Sequence, residues 1–328
     1  MNQQISRPQR CILDCIGNTP LVSLLRLFPD YPVQLYGKLE MFNPGGSIKD
    51  RTAVKIITNG IQTGAITHET VIVESTSGNM GVGLARICHY FGLRLILVTD
   101  PHLNSLTESI LKAFQVELIR VDQEDGMGGY LNSRLQKVQE LLERYENSFW
   151  PDQYHNPQSP LAHRETYREI LESLGKVPDY IFVATSTCGT LRGIADAAAE
   201  RNEFPSIIAV DSAGSVVFGN EPGTRLIPGM GAGRPSDFLI DAQVSSVIHV
   251  SDQDCIAGCN LLLDRESILA GGSSGGIVFA IQQMIPRIPP NATIVALLPD
   301  SGERYLETIF NKSWVLDHFG EPSQLIEQ

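Results

Sequence analysis

A chain of 328 residues is long enough for two domains or one large one, with a substantial core. Its 25 Lys and Arg stand against 37 Asp and Glu, and the formal charge of −12 argues against nucleic acid or an anionic membrane as partner. No apolar run approaches a membrane span, residues 1–10 (MNQQISRPQR) lack the apolar core of a signal peptide, and six cysteines form no dense framework, which together point to a soluble cytoplasmic protein with reduced thiols.

Residues 11–33 begin helix-like and turn at Gly17-Asn18-Thr19-Pro20-Leu21 into a short extended run. Cys11 and Cys15, like Cys255 and Cys259, are four apart, which places each pair on one helix face. No His or Cys follows at metal-ligand spacing, so the cysteines read as structural and no metal site is expected. The stretch 38–51, KLEMFNPGGSIKDR, passes from a strand end through an Asn-Pro-Gly-Gly turn to Lys49. Asp50 is a suitable N-cap, because Ala53, Ile56, Ile57 and Ile61 then recur at helical spacing. A helix N-terminus lowers the cost of a neutral amine, the nucleophile that a Schiff-base lysine needs. Taken alone, Lys49 also reads as a surface lysine at a helix start.

Strands are predicted over 71–74, 94–98 and 117–121, with helices through 82–88, 103–114 and 130–145. This alternation signifies a parallel sheet with helices on its faces. A loop-rich stretch with three prolines, 150–160, separates it from a second round: strand 180–185, helix 191–201, strand 207–210 and a late strand 293–298. Two α/β units joined in this way leave a cleft between them, where a cofactor would sit.

Three more loops carry chemistry. Ser75-Thr76-Ser77-Gly78-Asn79 lies between a strand and a helix, where hydroxyls and amides suit a carboxylate or phosphate and an asparagine suits a phenolic oxygen. Ser186-Thr187-Cys188-Gly189-Thr190 follows the apolar strand YIFVAT and has the ingredients of a phosphate cradle, with neither Walker lysine nor G-x-G-x-x-G. Gly271-Gly272-Ser273-Ser274-Gly275-Gly276 precedes a helix at 277–285 and could simply cap it. The glycine-rich run 229–233 leads into Arg234-Pro235 and reads as a mobile loop. Each loop alone is weak; four of them with a lysine at the first are much stronger.

Together the loops resemble the fold-type II pyridoxal-phosphate enzymes of the cysteine synthase and cystathionine β-synthase family. The resemblance spans nearly the whole chain: IGNTPLV at 16–22, KLEMFNPGGSIKDR at 38–51, ESTSGNMG at 74–81, DQYHNPQSPLAHRETYREI at 152–170, STCGT at 186–190 and AGGSSGG at 270–276. It implies an α/β fold like that of the tryptophan synthase β subunit, with two domains, each a mostly parallel sheet with helices on both faces. Residues 1–48 and 149–328 would form the larger, cofactor-binding domain, and 49–148 a smaller, mobile domain for the substrate carboxylate. A homodimer acting on small amino acids is implied as well.

By the same resemblance Lys49 would carry pyridoxal 5′-phosphate as a Schiff base and act as the catalytic base, and Asn79 would bond the ring oxygen. Ser75, Thr76, Ser77 and neighbouring amides would take the substrate α-carboxylate, helped by Gln153. Ser186, Thr187, Cys188, Gly189 and Thr190 would cradle the phosphate, and Ser273 would face the pyridine nitrogen. The cradle departs from the family's glycine-richer loop, having Thr187-Cys188-Gly189 where two glycines usually flank the turn. A neutral Ser273 cannot protonate the ring as an aspartate would, which makes the cofactor a milder electron sink, suited to β-elimination.

One branch matches further. Gly128-Gly129-Tyr130-Leu131 with Arg134, Val210-Asp211, and the runs 214–219 and 226–231 look like the synthases that form a diaminopropionate precursor in siderophore assembly of the staphyloferrin B type. These join O-phospho-L-serine to L-glutamate, giving N-(2-amino-2-carboxyethyl)-L-glutamate and phosphate. Arg234-Pro235-Ser236 stands where cysteine synthases usually have an apolar Phe-Ile-Pro. Glutamate brings a second carboxylate, and an arginine fork suits it, so Arg234 is the candidate, with a solvated loop arginine as the plainer reading. Two other functions stay open: a cysteine synthase using O-acetylserine and sulfide, and a cofactor-binding subunit without catalysis.

Overall fold

Strand and helix alternate to build two sheets. The computed structural model describes residues 10–124, 129–239 and 244–320; Gly128 of the branch motif lies outside them. The smaller sheet takes β3 (Val71–Ser75), β4 (Arg94–Thr99), β5 (Glu117–Arg120) and β6 (Ser148–Phe149) in the order β5-β4-β3-β6, all parallel. The larger sheet takes β1 (Leu21–Ser23), β2 (Gln34–Leu39), β7 (Tyr180–Ala184), β8 (Ser206–Ser212), β9 (Ser246–Val250) and β10 (Thr293–Leu298) in the order β1-β2-β10-β7-β8-β9. Only β1, at its edge, runs antiparallel.

Residue alternation in β3 and β4 explains why both faces of the smaller sheet are covered. Ile72, Leu95 and Leu97 join Ala53, Ile56 and Ile57 of α1 (Lys49–Thr63) and Leu84 and Ile87 of α2 (Asn79–Phe91) in one core. Val71, Val73, Ile96 and Val98 point the other way, onto Val138 and Leu141 of α4 (Leu131–Arg144). Period-2 side chains that are apolar at every position are what a parallel sheet sandwiched by helices requires. The remaining described helices are α3 (Ser105–Ala113), α5 (Gln158–Leu174), α6 (Gly189–Glu200), α7 (Asp252–Glu266), α8 (Gly272–Met284) and α9 (Lys312–Phe319). Helices α7 and α8 touch through glycines: a Cβ on Gly258 would meet the Gly275 carbonyl oxygen at 2.0 Å, and one on Gly275 the Cys255 carbonyl oxygen at 2.0 Å.

Helix α1 is tied to the larger sheet by a buried charge cluster. The Arg51 guanidinium donates to both oxygens of Glu40 (2.7 and 2.8 Å) and both of Glu169 on α5 (2.7 Å each). Lys38 on β2 donates to Glu169 at 2.6 Å and to the Thr19 carbonyl at 2.6 Å. Burial alone would raise the Glu169 carboxyl, but the hydrogen bonds and charge of Arg51, then Lys38, hold it at about 2.

The structure corrects several expectations. Asp50 is not the N-cap: α1 begins at Lys49 with Ile48 before it, and Asp50 reaches back to accept the Gly45 backbone N–H. It thereby closes the glycine turn instead of capping the helix. Cys11 and Cys15 do not share an α-helical face, because Ile12–Cys15 is a single 3-10 turn; Cys255 and Cys259 do, both buried in α7. Helix α5 fills part of what reads as a loop-rich connection, since Pro160 falls in its first turn, where no backbone N–H is needed.

Candidate active site

The C-terminal ends of parallel strands open on a narrow cleft with a cavity volume of about 150 Å³. Its walls bring together Lys49, Thr76, Asn79, Gln153, Ser186, Thr187, Cys188, Thr190 and Ser273 from segments spread over 225 positions of the chain (273 less 49, plus one). Tyr154, Gly229 and Pro299 also line it. Four expected residues stand one step back. Ser75 ends β3 with its hydroxyl buried, Gly189 is the first residue of α6, and Ser77 accepts a hydrogen bond from Arg134 at 3.1 Å. Arg234 stacks its guanidinium 3.8 Å from the centre of the Tyr154 ring, at the cleft margin.

Each wall follows from local sequence. The turn 43–46 closes on a Gly46 of positive φ (+76°), and Ile48 N–H donates to the Pro299 carbonyl at 2.8 Å, which sets Lys49 at the cleft floor. Burial lowers the affinity of its amine for a proton, partly offset by the charges near it, Asp300 among them. Lys49 is thus predisposed to the neutral, nucleophilic form.

Across the cleft, Cys188 holds a left-handed backbone (φ +61°, ψ 5°) as it caps α6. A non-glycine residue tolerates this at a cost of about 1–2 kcal/mol. The turn aims the first amides of α6, with the Ser186, Thr187 and Thr190 hydroxyls, at the cleft. Burial pushes the Cys188 thiol up to about 12, so it stays a neutral thiol there. Behind the cradle, the buried His163 ring accepts from or donates to Thr52 (3.1 Å) and Thr190 (3.3 Å), and burial holds it well below its ordinary pKa.

This donor set fits pyridoxal phosphate. A partly buried amine shares the cleft with a helix N-terminus ringed with hydroxyls, an asparagine amide and a serine hydroxyl. Among the described residues no cluster of three or more metal-binding side chains occurs.

The family model for pyridoxal-phosphate dependent enzymes matches residues 12–300. The chain belongs to that family. It is similar to the O-acetylserine-dependent cystathionine β-synthase of Helicobacter pylori (29% identity, 92% of this chain and 99% of that one, TM-score 0.85). It is also similar to O-ureido-L-serine synthase (29%, 97% and 98%, 0.86) and to a cysteine synthase of Entamoeba histolytica (31%, 94% and 92%, 0.87). The protein is therefore a pyridoxal-phosphate-dependent β-replacement enzyme of the cysteine synthase group, with the two-domain α/β fold of that family. No described helix is long and apolar enough to cross a membrane.

Some residues at the cleft carry no signal in the sequence. Tyr154 follows Gln153, yet nothing in the local pattern marks it as a cleft residue. For Asp300, Arg304 and Tyr305 the available signal is position: Pro299-Asp300 follows β10 directly, and the exit of a parallel strand is where ligand groups gather.

Proposed function

We propose that this enzyme joins the amino group of L-glutamate to the β-carbon of O-phospho-L-serine, on the way to 2,3-diaminopropionate. The observation that carries this reading is Arg234, held over Tyr154 at the cleft margin, where an acceptor with a second carboxylate needs a cation. Arg134, bonded to Ser77 and paired with Asp100 at 3.0 Å, brings another cation to the carboxylate loop. Both work against the overall charge of −12.

When bound, pyridoxal phosphate withdraws electrons from the α-carbon of the amino acid joined to it, so that a good leaving group on the β-carbon can depart. Lys49 would hold the cofactor, Asn79 its ring oxygen and Ser273 its ring nitrogen. Ser186, Thr187, Cys188, Gly189 and Thr190 would hold its phosphate through hydroxyls and helix amides. Ser75, Thr76 and Ser77 with Gln153 take the α-carboxylate and so orient the α-proton towards Lys49. Lys49 Nζ removes that proton and later returns it. The β-carbon–oxygen bond breaks and phosphate leaves with its electron pair; the glutamate ammonium loses one proton to solvent, its freed lone pair forms the β-carbon–nitrogen bond, and Lys49 keeps the α-proton for return to the α-carbon. In this reading residues 49–148 form the smaller, moving domain, 1–48 and 149–328 the larger, and two copies pair.

A second reading has sulfide as acceptor and O-acetylserine as donor, favoured by kinship to a cysteine synthase and to an O-acetylserine-dependent enzyme. Crossing the two donors with the two acceptors and weighing the products by mass spectrometry separates them. The glutamate adduct from O-phosphoserine, with little cysteine, is the expected result. Cysteine as the main product, with glutamate unused, would discard the proposal.

A further inference from the structure

The residues after β10 stitch three walls of the cleft together. Ser301 N–H donates to the Gly46 carbonyl at 3.2 Å, and Gly271 N–H donates to the Asp300 carbonyl at 3.0 Å. The Asp300 side chain, 1% exposed, lies between them. Its Oδ2 accepts from Asn79 Nδ2 and from the Tyr305 hydroxyl, each at 2.7 Å. Its Oδ1 has no hydrogen-bond partner among the described residues and faces Gly271, where a Cβ would meet it at 2.1 Å. Only glycine at 271 leaves room for that carboxylate. Arg304 donates to Asn79 Oδ1 and to the Gly45 carbonyl, and its own carbonyl accepts from Asn104 Nδ2 at 3.0 Å.

We propose that Asp300, with Arg304, is a positioning residue that clamps the Asn79 amide from the opposite sheet and dictates which of its groups meets the cofactor. Asn79 opens α2 on the smaller sheet, whereas Asp300 and Arg304 follow the central strand of the larger one. Asparagine has one carbonyl and two N–H donors. Arg304 occupies the carbonyl and Asp300 takes one N–H, so a single N–H remains for a ligand in the cleft. Held from both sides in this way, the amide cannot turn over, and its second N–H is the donor left for a ligand in the cleft. A donor-only contact favours an anionic ring oxygen over a protonated one. An unclamped amide could turn and present its carbonyl, which favours the opposite state. A carboxylate that never touches the ligand thus selects the protonation state of the ligand's oxygen.

The test compares Asp300→Ala, Asp300→Asn and Arg304→Gln with the parent protein. Apoprotein is titrated with pyridoxal phosphate by intrinsic fluorescence, and the visible absorbance of the loaded protein is recorded across pH. Asp300→Ala is expected to weaken cofactor binding about tenfold, the effect of losing one charge-assisted bond. It should also move the absorbance band to shorter wavelength at a given pH. Asp300→Asn keeps an acceptor for Asn79 and Tyr305 and is expected to bind within about threefold of the parent, by the same bond count. If Asp300→Ala fails to fold, Arg304→Gln carries the test, since it frees the Asn79 carbonyl without emptying a buried position; the same band shift is expected. Unchanged affinity and band in whichever of these two variants folds, even with a lowered melting temperature, would make the cluster merely structural and overturn the proposal.

Discussion

Replacing Arg51 with methionine tests whether the buried charge cluster holds α1, and with it Lys49, against the larger sheet. The apolar stem is retained, but Glu40 (0% exposed) loses both guanidinium bonds, and Glu169 keeps only Lys38 as a cationic partner. Removing one partner of a buried ion pair costs about 3–5 kcal/mol, because the other charge stays desolvated. With an unfolding entropy of about 2.1 cal/mol/K per residue, a chain of 328 residues changes stability by roughly 0.7 kcal/mol per degree. The melting temperature should therefore fall by about 4–7 °C at pH 7, measured by scanning calorimetry. Acid supplies a second check. Glu169 is depressed from an ordinary 4.5 to about 2 when folded, so its contribution is complete above pH 4.5 and is lost as pH falls towards 2. The deficit of the variant should therefore shrink over that interval. A difference below about 1 °C at pH 7, where 3–5 kcal/mol is expected, or a deficit that stays constant down to pH 3, would refute the reasoning.

Other outcomes are expected from single sites. Glu74 is buried against Trp150 Nε1 (3.1 Å) and the Ser75 amide (2.8 Å), and burial raises its carboxyl to about 7. A folded pKa above the unfolded value means that stability is present below about pH 4.5 and lost as pH rises through 7, so Glu74→Gln should gain on the parent at pH 8, by roughly 3 kcal/mol at most, and not at pH 4; denaturant titration at both values decides it. Gly275→Ala should force α7 and α8 apart at the Cys255 carbonyl, costing about 1–3 kcal/mol and lowering the melting temperature. Arg234→Ala should raise the KM for glutamate about tenfold while the first half of the reaction, followed by phosphate release in a single turnover, is spared. An unchanged glutamate KM removes Arg234 from the acceptor site.

The strands were legible because apolar runs such as VIVE at 71–74 and RLILV at 94–98 satisfy both faces of a covered sheet, and no competing pattern is present. The hydroxyl loops at 75–79 and 186–190 were legible for a related reason: each follows such a strand directly. Helices α5 and α7 were harder. Pro157 and Pro160 mimic loop punctuation at the start of α5, and α7 carries little contrast between its faces, because glycines and cysteines serve its contact with α8. Asp50 misled because a carboxylate at a helix start normally caps it, whereas here the glycine turn supplies a closer amide. The clamp on Asn79 could not be read at all. Arg304 and Asn79 are 225 residues apart, and only the closed fold makes them neighbours.

Strand β10 is late in the chain yet lies between β2 and β7. At about 5–20 residues per second, β2 at residues 34–39 waits many seconds on the ribosome for residues 293–298. The smaller sheet, contained in residues 71–149, can assemble in that interval. The lysine-bearing turn cannot settle, because Ile48 needs the Pro299 carbonyl. The chain therefore gains a cofactor site only when nearly all of it has been made, and a product cut short before β10 would carry Lys49 and the three hydroxyl loops without the Pro299 carbonyl that holds the turn before Lys49.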